Sequence, residues 1–172
     1  VAPAAWRSFF RSRSQGPPDI VELECPMPLF AAVISPHIEV RTEDTRKILR
    51  KEVLLSKAVR QWANVGGLVA GLLKGDYGLI SRSLEDVILE PIRSVLIPGF
   101  GEVKKAAINT GALGGGISGS GPSIFALSKD NETAIEVAKA MQLVLDSLGL
   151  ESDTYVSKIN TRGCQIVSEQ PA

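Results

Sequence analysis

The chain has 172 residues, 44% of them apolar, which suits one sizeable domain with a packed core and excludes a wholly disordered chain. Lys+Arg and Asp+Glu both total 19, so no positive excess exists for a nucleic-acid surface, and Arg7, Arg11 and Arg13 among Ser and Gly read as a solvated loop. No apolar run approaches the roughly 20 residues of a membrane span and no charged-then-apolar leader is present, so no membrane association is expected and the chain reads as cytoplasmic.

Cys25, Cys164 and the one histidine, His37, supply neither a disulfide framework nor a zinc spacing, so no metal ligands are expected. A cysteine nucleophile served by His37 lacks a catalytic context. The chain opens on Val1-Ala2-Pro3 without Met, as an interior cut of a longer polypeptide would.

In chain order, Asp19 to Glu24 alternates apolar and polar residues between two proline-rich stretches, which predicts a strand. Leu29 to Ile34 is continuously apolar and closes on Ser35-Pro36, which predicts a buried strand. Acidic residues after Thr42 precede a short helical segment, Arg46 to Arg50.

From Lys51 to Leu73 apolar residues recur at helical spacing, at Leu55, Val59, Trp62, Val65, Val69 and Leu72. The Gly66-Gly67 pair inside that helix is read as a close helix crossing rather than a ligand contact. A second helix is expected from Asp76 to about Val87. Pro91 and Pro98 then bracket an irregular segment, and a third helix runs to Thr110 with Gly111 as its stop.

Strands are expected at Ala112 to Ser118 and Ser123 to Ser128, joined by a loop rich in glycine and serine. Asn131 starts an amphipathic helix with apolar positions at Ile135, Val137, Ala138, Met141, Val144, Leu145 and Leu148, ended by Gly149. Asp153 to Ile159 and Gly163 to Val167 close the chain as strands. This order from Leu29 is the split β-α-β-β-α-β, ferredoxin-like plan with extra helices in its first crossover: an α+β, two-layer α/β sandwich with a mainly antiparallel sheet. Residues 1–18 fit it poorly and read as the tail of a preceding domain, with residues 19–172 forming this one.

The loop Ser118-Gly119-Ser120-Gly121 is chemically the most suggestive segment. Glycine accepts positive φ and carries no Cβ, so successive amides can turn inward around an anion, and serine hydroxyls add donors. A tight hairpin that needs glycine only for its turn is the alternative.

The loop resembles the third motif of the GHMP kinase superfamily, and the resemblance continues in order through the chain. Val40-Arg41-Thr42 leading to Arg46, Asn64 with Gly67-Leu68-Val69-Ala70-Gly71, Arg82 to Asp86, Glu90-Pro91-Ile92-Arg93, Leu96 to Phe100 and Tyr155-Val156-Ser157 are similar to the homoserine kinase family within it. The resemblance implies a GHMP kinase C-terminal domain and transfer of the ATP γ-phosphoryl group to the side-chain hydroxyl of L-homoserine, toward threonine, with Mg²⁺ accompanying ATP. It implies that Arg46 and Arg93 meet the substrate carboxylate and nearby phosphate charge, that Thr42 orients the reacting hydroxyl, and that Thr42 and Arg93 share the catalytic work. It places Ser118 and Gly119 against substrate, and Ser118, Gly119, Ser120 and Gly121 in a nucleotide phosphate loop.

Each has a plainer counterpart. Arg46 stands among Lys47, Arg50 and Lys51 as a solvated helix face would, Arg93 has Glu90 and Asp86 within pairing range, Thr42 suits a helix cap, and Asn64 suits a backbone contact. The family's Gly-Leu-Gly-Ser-Ser-Ala loop and the acidic residue that helps to hold Mg²⁺ have no match in this sequence, so ATP and Mg²⁺ are expected to be held mainly by another half, and the chain alone is expected to be inactive. Another GHMP kinase, or a non-catalytic amino-acid-binding domain, is the alternative function. The apolar helices and extra terminal strand leave room for a homodimer.

Overall fold

A computed structural model describes residues 7–10, 19–22, 25–41 and 48–160. Its centre is β3 (Phe30–Pro36), the expected buried strand. β3 pairs antiparallel with β5 (Ile124–Ser128) on one side, Ala32 opposite Ala126, and with β6 (Ser152–Lys158) on the other, Ala32 opposite Val156. β4 (Gly114–Ile117) joins β5 at the edge, giving the order β4-β5-β3-β6. This is the antiparallel sheet that the split plan predicts. β1 (Arg7–Phe10) and β2 (Asp19–Glu22) form a separate two-stranded antiparallel sheet. The strand expected at Gly163 to Val167 lies outside the described residues.

One face of the four-stranded sheet is covered by the last two helices. Asp130 caps the final one, accepting hydrogen bonds from the Thr133 amide at 2.7 Å and the Thr133 hydroxyl at 2.9 Å, which satisfies donors that a helix start leaves open. Gly111, at φ +106°, turns the chain from the preceding helix into the sheet as expected. The core on this face joins Phe100, Val103, Val137, Met141 and Leu145 to Ala32, Ile34, Ile124 and Ala126. Ile135 and Leu148, expected in the buried stripe, are exposed, and Ala134 takes the inward position.

Five helices are described: α1 (Leu55–Lys74), α2 (Tyr77–Ser83), α3 (Glu90–Arg93), α4 (Phe100–Asn109) and α5 (Asn131–Ser147), with a 3-10 turn at Ser94–Leu96. α1 starts at Leu55, four residues later than the periodicity indicates, and ends on Gly75 at φ +70°. Of the positions that periodicity singles out, Leu72 is buried while Leu55, Val59, Trp62 and Val65 are exposed. The face that packs is defined by glycine. A Cβ at Gly67 would come within 2.4 Å of Ser83 Oγ and one at Gly71 within 2.9 Å of Ile80 Cγ1, so α2 crosses α1 almost on its backbone. Gly66, by contrast, faces open space.

α2 stops at Ser83 rather than near Val87, because side chains take over the backbone donors beyond it. The Val87 amide donates to Gln61 Oε1, and the Ile88 and Leu89 amides donate to Asp86 Oδ1, all within 2.9 Å. Asn64 Nδ2 donates to the Glu85 carbonyl at 2.9 Å, the backbone contact its side chain suits. The segment read as irregular between prolines begins with a turn of helix, α3, because proline needs no amide partner in a first helical turn. Among the described residues, no helix is long and apolar enough to cross a membrane.

Candidate active site

The β4–β5 connection is a tight turn closed on itself. The Ser118 amide donates to the Ser123 carbonyl at 2.8 Å and the Gly121 amide to the Ser118 carbonyl at 3.0 Å. Gly119 and Gly121 have φ of +63° and +87°, the left-handed region that glycine enters without strain. The Ser123 hydroxyl donates to Ser35 Oγ at 3.1 Å, tying the turn to the end of β3. The hairpin reading of the glycines therefore holds for Ser118 and Gly121, whose amides are engaged within the turn. The amides of Gly119 and Ser120 have no protein acceptor among the described residues, and these two are the ones available to an anion.

Arg93 reaches this turn. Its Nη1 donates to the Gly119 carbonyl at 2.8 Å, so the guanidinium at the end of α3 is fixed against the turn's apex. Arg93 Nε is buried without an acceptor among the described residues. Neither acidic neighbour pairs with it: Asp86 caps the Ile88 and Leu89 amides, and Glu90 binds Lys104. The structural ion pair suggested by sequence is therefore not formed, and a cation with a spare donor stands beside the loop.

Glu90, Gly116 and Lys104 form the wall behind Arg93. Lys104 Nζ donates to Glu90 Oε1, and the two side chains are only 19% and 13% exposed. Burial pushes the Glu90 carboxyl above its ordinary value, and the Lys104 hydrogen bond and charge act against that shift. The carboxylate lies over β4, where a Cβ on Gly116 would come within 2.7 Å of Glu90 Oε2. A glycine inside a strand pattern signals such a close approach; the partner that approaches is set by tertiary structure. Glu90, Arg93, Gly116 and Gly119 line one cleft of about 170 Å³, closed on another side by Val65 and Leu68 of α1.

Thr42 and Arg46 lie outside the described residues, so of the expected site Arg93 and the Ser118–Gly121 turn are the parts brought together here. His37 directly follows β3, with Nε2 3.0 Å from Asp153 Oδ2 and Nδ1 3.6 Å from Glu151 Oε2, a surface ion pair rather than a partner for a thiol. No three His, Cys, Asp or Glu side chains converge as a cation site among the described residues. These residues therefore do not make a Mg²⁺ site by themselves.

The sequence profile described as the C-terminal region of GHMP kinases matches residues 68–146, which include α2, α3, the cleft wall and the glycine turn. The chain carries a GHMP kinase C-terminal domain. Within that family its resemblance is to homoserine kinases. It is 51% identical to the homoserine kinase of Chloroherpeton thalassium over 97% of this chain and 53% of that protein, and 47% identical to that of Chlorobaculum tepidum over 98% and 52%. The crystal structure of homoserine kinase from Cytophaga hutchinsonii superposes with a TM-score of 0.84 at 57% identity, covering 88% of this chain and 48% of that one. The chain thus spans about half the length of the curated relatives it matches.

Proposed function

We propose that this chain is the acceptor-side portion of a homoserine kinase, a cytoplasmic enzyme of threonine biosynthesis that moves the γ-phosphoryl group of ATP to the side-chain hydroxyl of L-homoserine. The observation that carries the reading is the 2.8 Å bond from Arg93 Nη1 to the Gly119 carbonyl, which joins the segment assigned to the acceptor with the loop assigned to phosphate. In phosphoryl transfer the protein's work is placement and charge stabilisation. Arg93, held by one nitrogen and carrying a second donor with no protein acceptor, is suited to the substrate carboxylate. The Gly119 and Ser120 amides are suited to phosphate oxygens.

Arg46 joins Arg93 on the carboxylate and Thr42 orients the hydroxyl, whose oxygen bonds to phosphorus as the bond to the ADP oxygen breaks. Most of the grip on ATP and on its Mg²⁺ belongs to a companion domain, to which residues 1–18 form the tail while residues 19–172 form this one; the β1–β2 pairing spans that division. The chain alone is inactive on this reading, and its apolar helices and extra terminal strand leave room for a homodimer.

The test joins this chain to the N-terminal half of the Cytophaga hutchinsonii homoserine kinase and assays homoserine, mevalonate and galactose with ATP. Turnover of homoserine, with little from the chain alone, is the expected result. A folded chimera that phosphorylates mevalonate or galactose but not homoserine overturns the acceptor. One that binds homoserine but turns over none of the three favours a non-catalytic amino-acid domain.

A further inference from the structure

Arg93 shares its cleft with three carboxylates and pairs with none of them. Glu85, Asp86 and Glu90 all line the same space. Glu85 Oε2 is taken by Arg60 Nη2 at 2.7 Å, Asp86 Oδ1 by the Ile88 and Leu89 amides at 2.8 Å, and Glu90 Oε1 by Lys104 Nζ. A carboxylate is the partner that the planar guanidinium fork matches best, so a lone arginine among three of them is ordinarily neutralised. Here one nitrogen rests on the Gly119 carbonyl instead, and Nε is buried with no acceptor among the described residues.

Glu90 is the carboxylate best placed to claim Arg93. It stands three residues before it in α3, the spacing that brings two side chains onto one helix face within pairing reach. Both residues also lie along one hairpin, Glu90 against Gly116 and Arg93 against Gly119. An ionised carboxylate only 13% exposed needs a cation beside it. Lys104 and Arg93 could each serve, and Lys104 holds it.

Lys104, one turn into α4, is itself bracketed. Its Nζ lies 5.9 Å from the ring centre of Phe100, a buried residue of the same helix, so the ammonium sits between an aromatic ring and the Glu90 carboxylate. Such a pair gives little net stability over apolar side chains of the same volume, so stability is a poor reason for its presence. Its clearer effect is on the charge that the cleft presents. We propose that Lys104 is a positioning residue for the acceptor site: by engaging Glu90 it keeps that carboxylate off Arg93 and so reserves the guanidinium's second donor for the substrate carboxylate. Lys104 acts from behind the cleft, through Glu90 and Arg93, and has this role only if Arg93 meets the substrate carboxylate as proposed above.

The test uses the restored full-length kinase at mildly alkaline pH, so that Glu90, whose carboxyl burial pushes upward, stays ionised. Lys104→Met keeps the bulk of the side chain and removes its charge. It is expected to raise KM for homoserine about 10-fold, the lower end for one charged hydrogen bond, and to leave kcat and KM for ATP within about twofold. Adding Glu90→Gln should bring KM back to within about threefold of the unsubstituted enzyme, because the competing charge is gone; damage to the cleft wall would persist or deepen. The double variant strands no charge, so it remains measurable should Lys104→Met alone fail to fold, and a KM raised 10-fold in it overturns the proposal. Lys104→Arg can still hold Glu90 and should restore the original KM, and a 10-fold rise there would also overturn it. In an Arg93→Ala background Lys104→Met should no longer move KM, since nothing is left to reserve; a further 10-fold rise would place the effect elsewhere. If Arg93→Ala raises KM and Lys104→Met does not, the role of Lys104 falls while the acceptor reading stands. If Arg93→Ala changes nothing, both fall.

Discussion

The Glu90 carboxylate occupies the space that a side chain on Gly116 would need: a Cβ there would stand 2.7 Å from Glu90 Oε2. The pair couples α3 to the edge strand β4 and leaves the carboxylate in reach of Lys104. Gly116→Ala is expected to displace Glu90 and cost about 1–3 kcal/mol, the range for overpacking a tight site. Glu90→Ala removes one partner of a largely buried ion pair and is expected to cost about 3 kcal/mol through the stranded Lys104. The double variant should cost less than the sum, because the space Gly116→Ala needs is vacated. Urea unfolding of the four chains gives the cycle, and strict additivity would mean that the two residues do not share that space.

In the restored kinase, Arg93→Ala is expected to lower kcat/KM for homoserine by the worth of one charged hydrogen bond, about 1.5–3 kcal/mol, or roughly 10- to 150-fold. Arg93→Lys should recover only part of this, since an ammonium cannot hold the Gly119 carbonyl and a carboxylate with the same planar fork. Steady-state kinetics with homoserine as the varied substrate measures both. An unchanged kcat/KM for Arg93→Ala would remove Arg93 from the acceptor site.

The two positive-φ glycines of the β4–β5 turn should respond unequally. Gly119→Ala meets no atom within 4 Å and carries only the backbone cost of a left-handed non-glycine residue, about 1–2 kcal/mol. Gly121→Ala carries that cost and also crowds Ile97 Cδ1 at 3.1 Å and Ile117 Cγ2 at 3.3 Å. Thermal unfolding should rank Gly121→Ala below Gly119→Ala; the reverse order would place the strain elsewhere in the turn.

His37 is expected to titrate above its usual 6.5, because the Asp153 hydrogen bond, with help from Glu151, favours the imidazolium. A pKa raised in the fold means that the contribution to stability is fully present below the unfolded value and fades as pH rises through the folded one. Proton NMR of the His37 ring against pH should show the elevated midpoint, and Asp153→Asn should bring it back toward 6.5. A midpoint unmoved by that substitution would assign the shift to another cause.

The burial of β3, the start of α5 at Asn131 and the positive φ of Gly119 and Gly121 were legible in the sequence because each is set locally, by an apolar run, the onset of an amphipathic stretch, or a glycine where a turn needs one. Arg93 beside the glycine turn was legible through family resemblance, since the two are 26 positions apart and no local rule joins them. The early end of α2 was hidden because Gln61 and Asp86 compete for its amides from outside the periodic pattern. The exposure of Leu55, Val59 and Trp62 was hidden for a related reason: helical spacing marks which face is apolar, and α1 has a second packing face built from glycine. Glu90 with Lys104 depends on α3 and α4 meeting over β4, which sequence alone does not encode at any single position.

The Arg93 to Gly119 bridge has an energetic corollary. If one guanidinium serves the acceptor while leaning on the turn that receives the phosphate tail, neither ligand meets a site independent of the other. Occupancy on one side restrains the group that both sides share, so each ligand raises the other's affinity by the same factor, as reciprocity demands of any two linked equilibria. Substrate synergy would then be a property of this single contact and would vanish with the guanidinium that makes it.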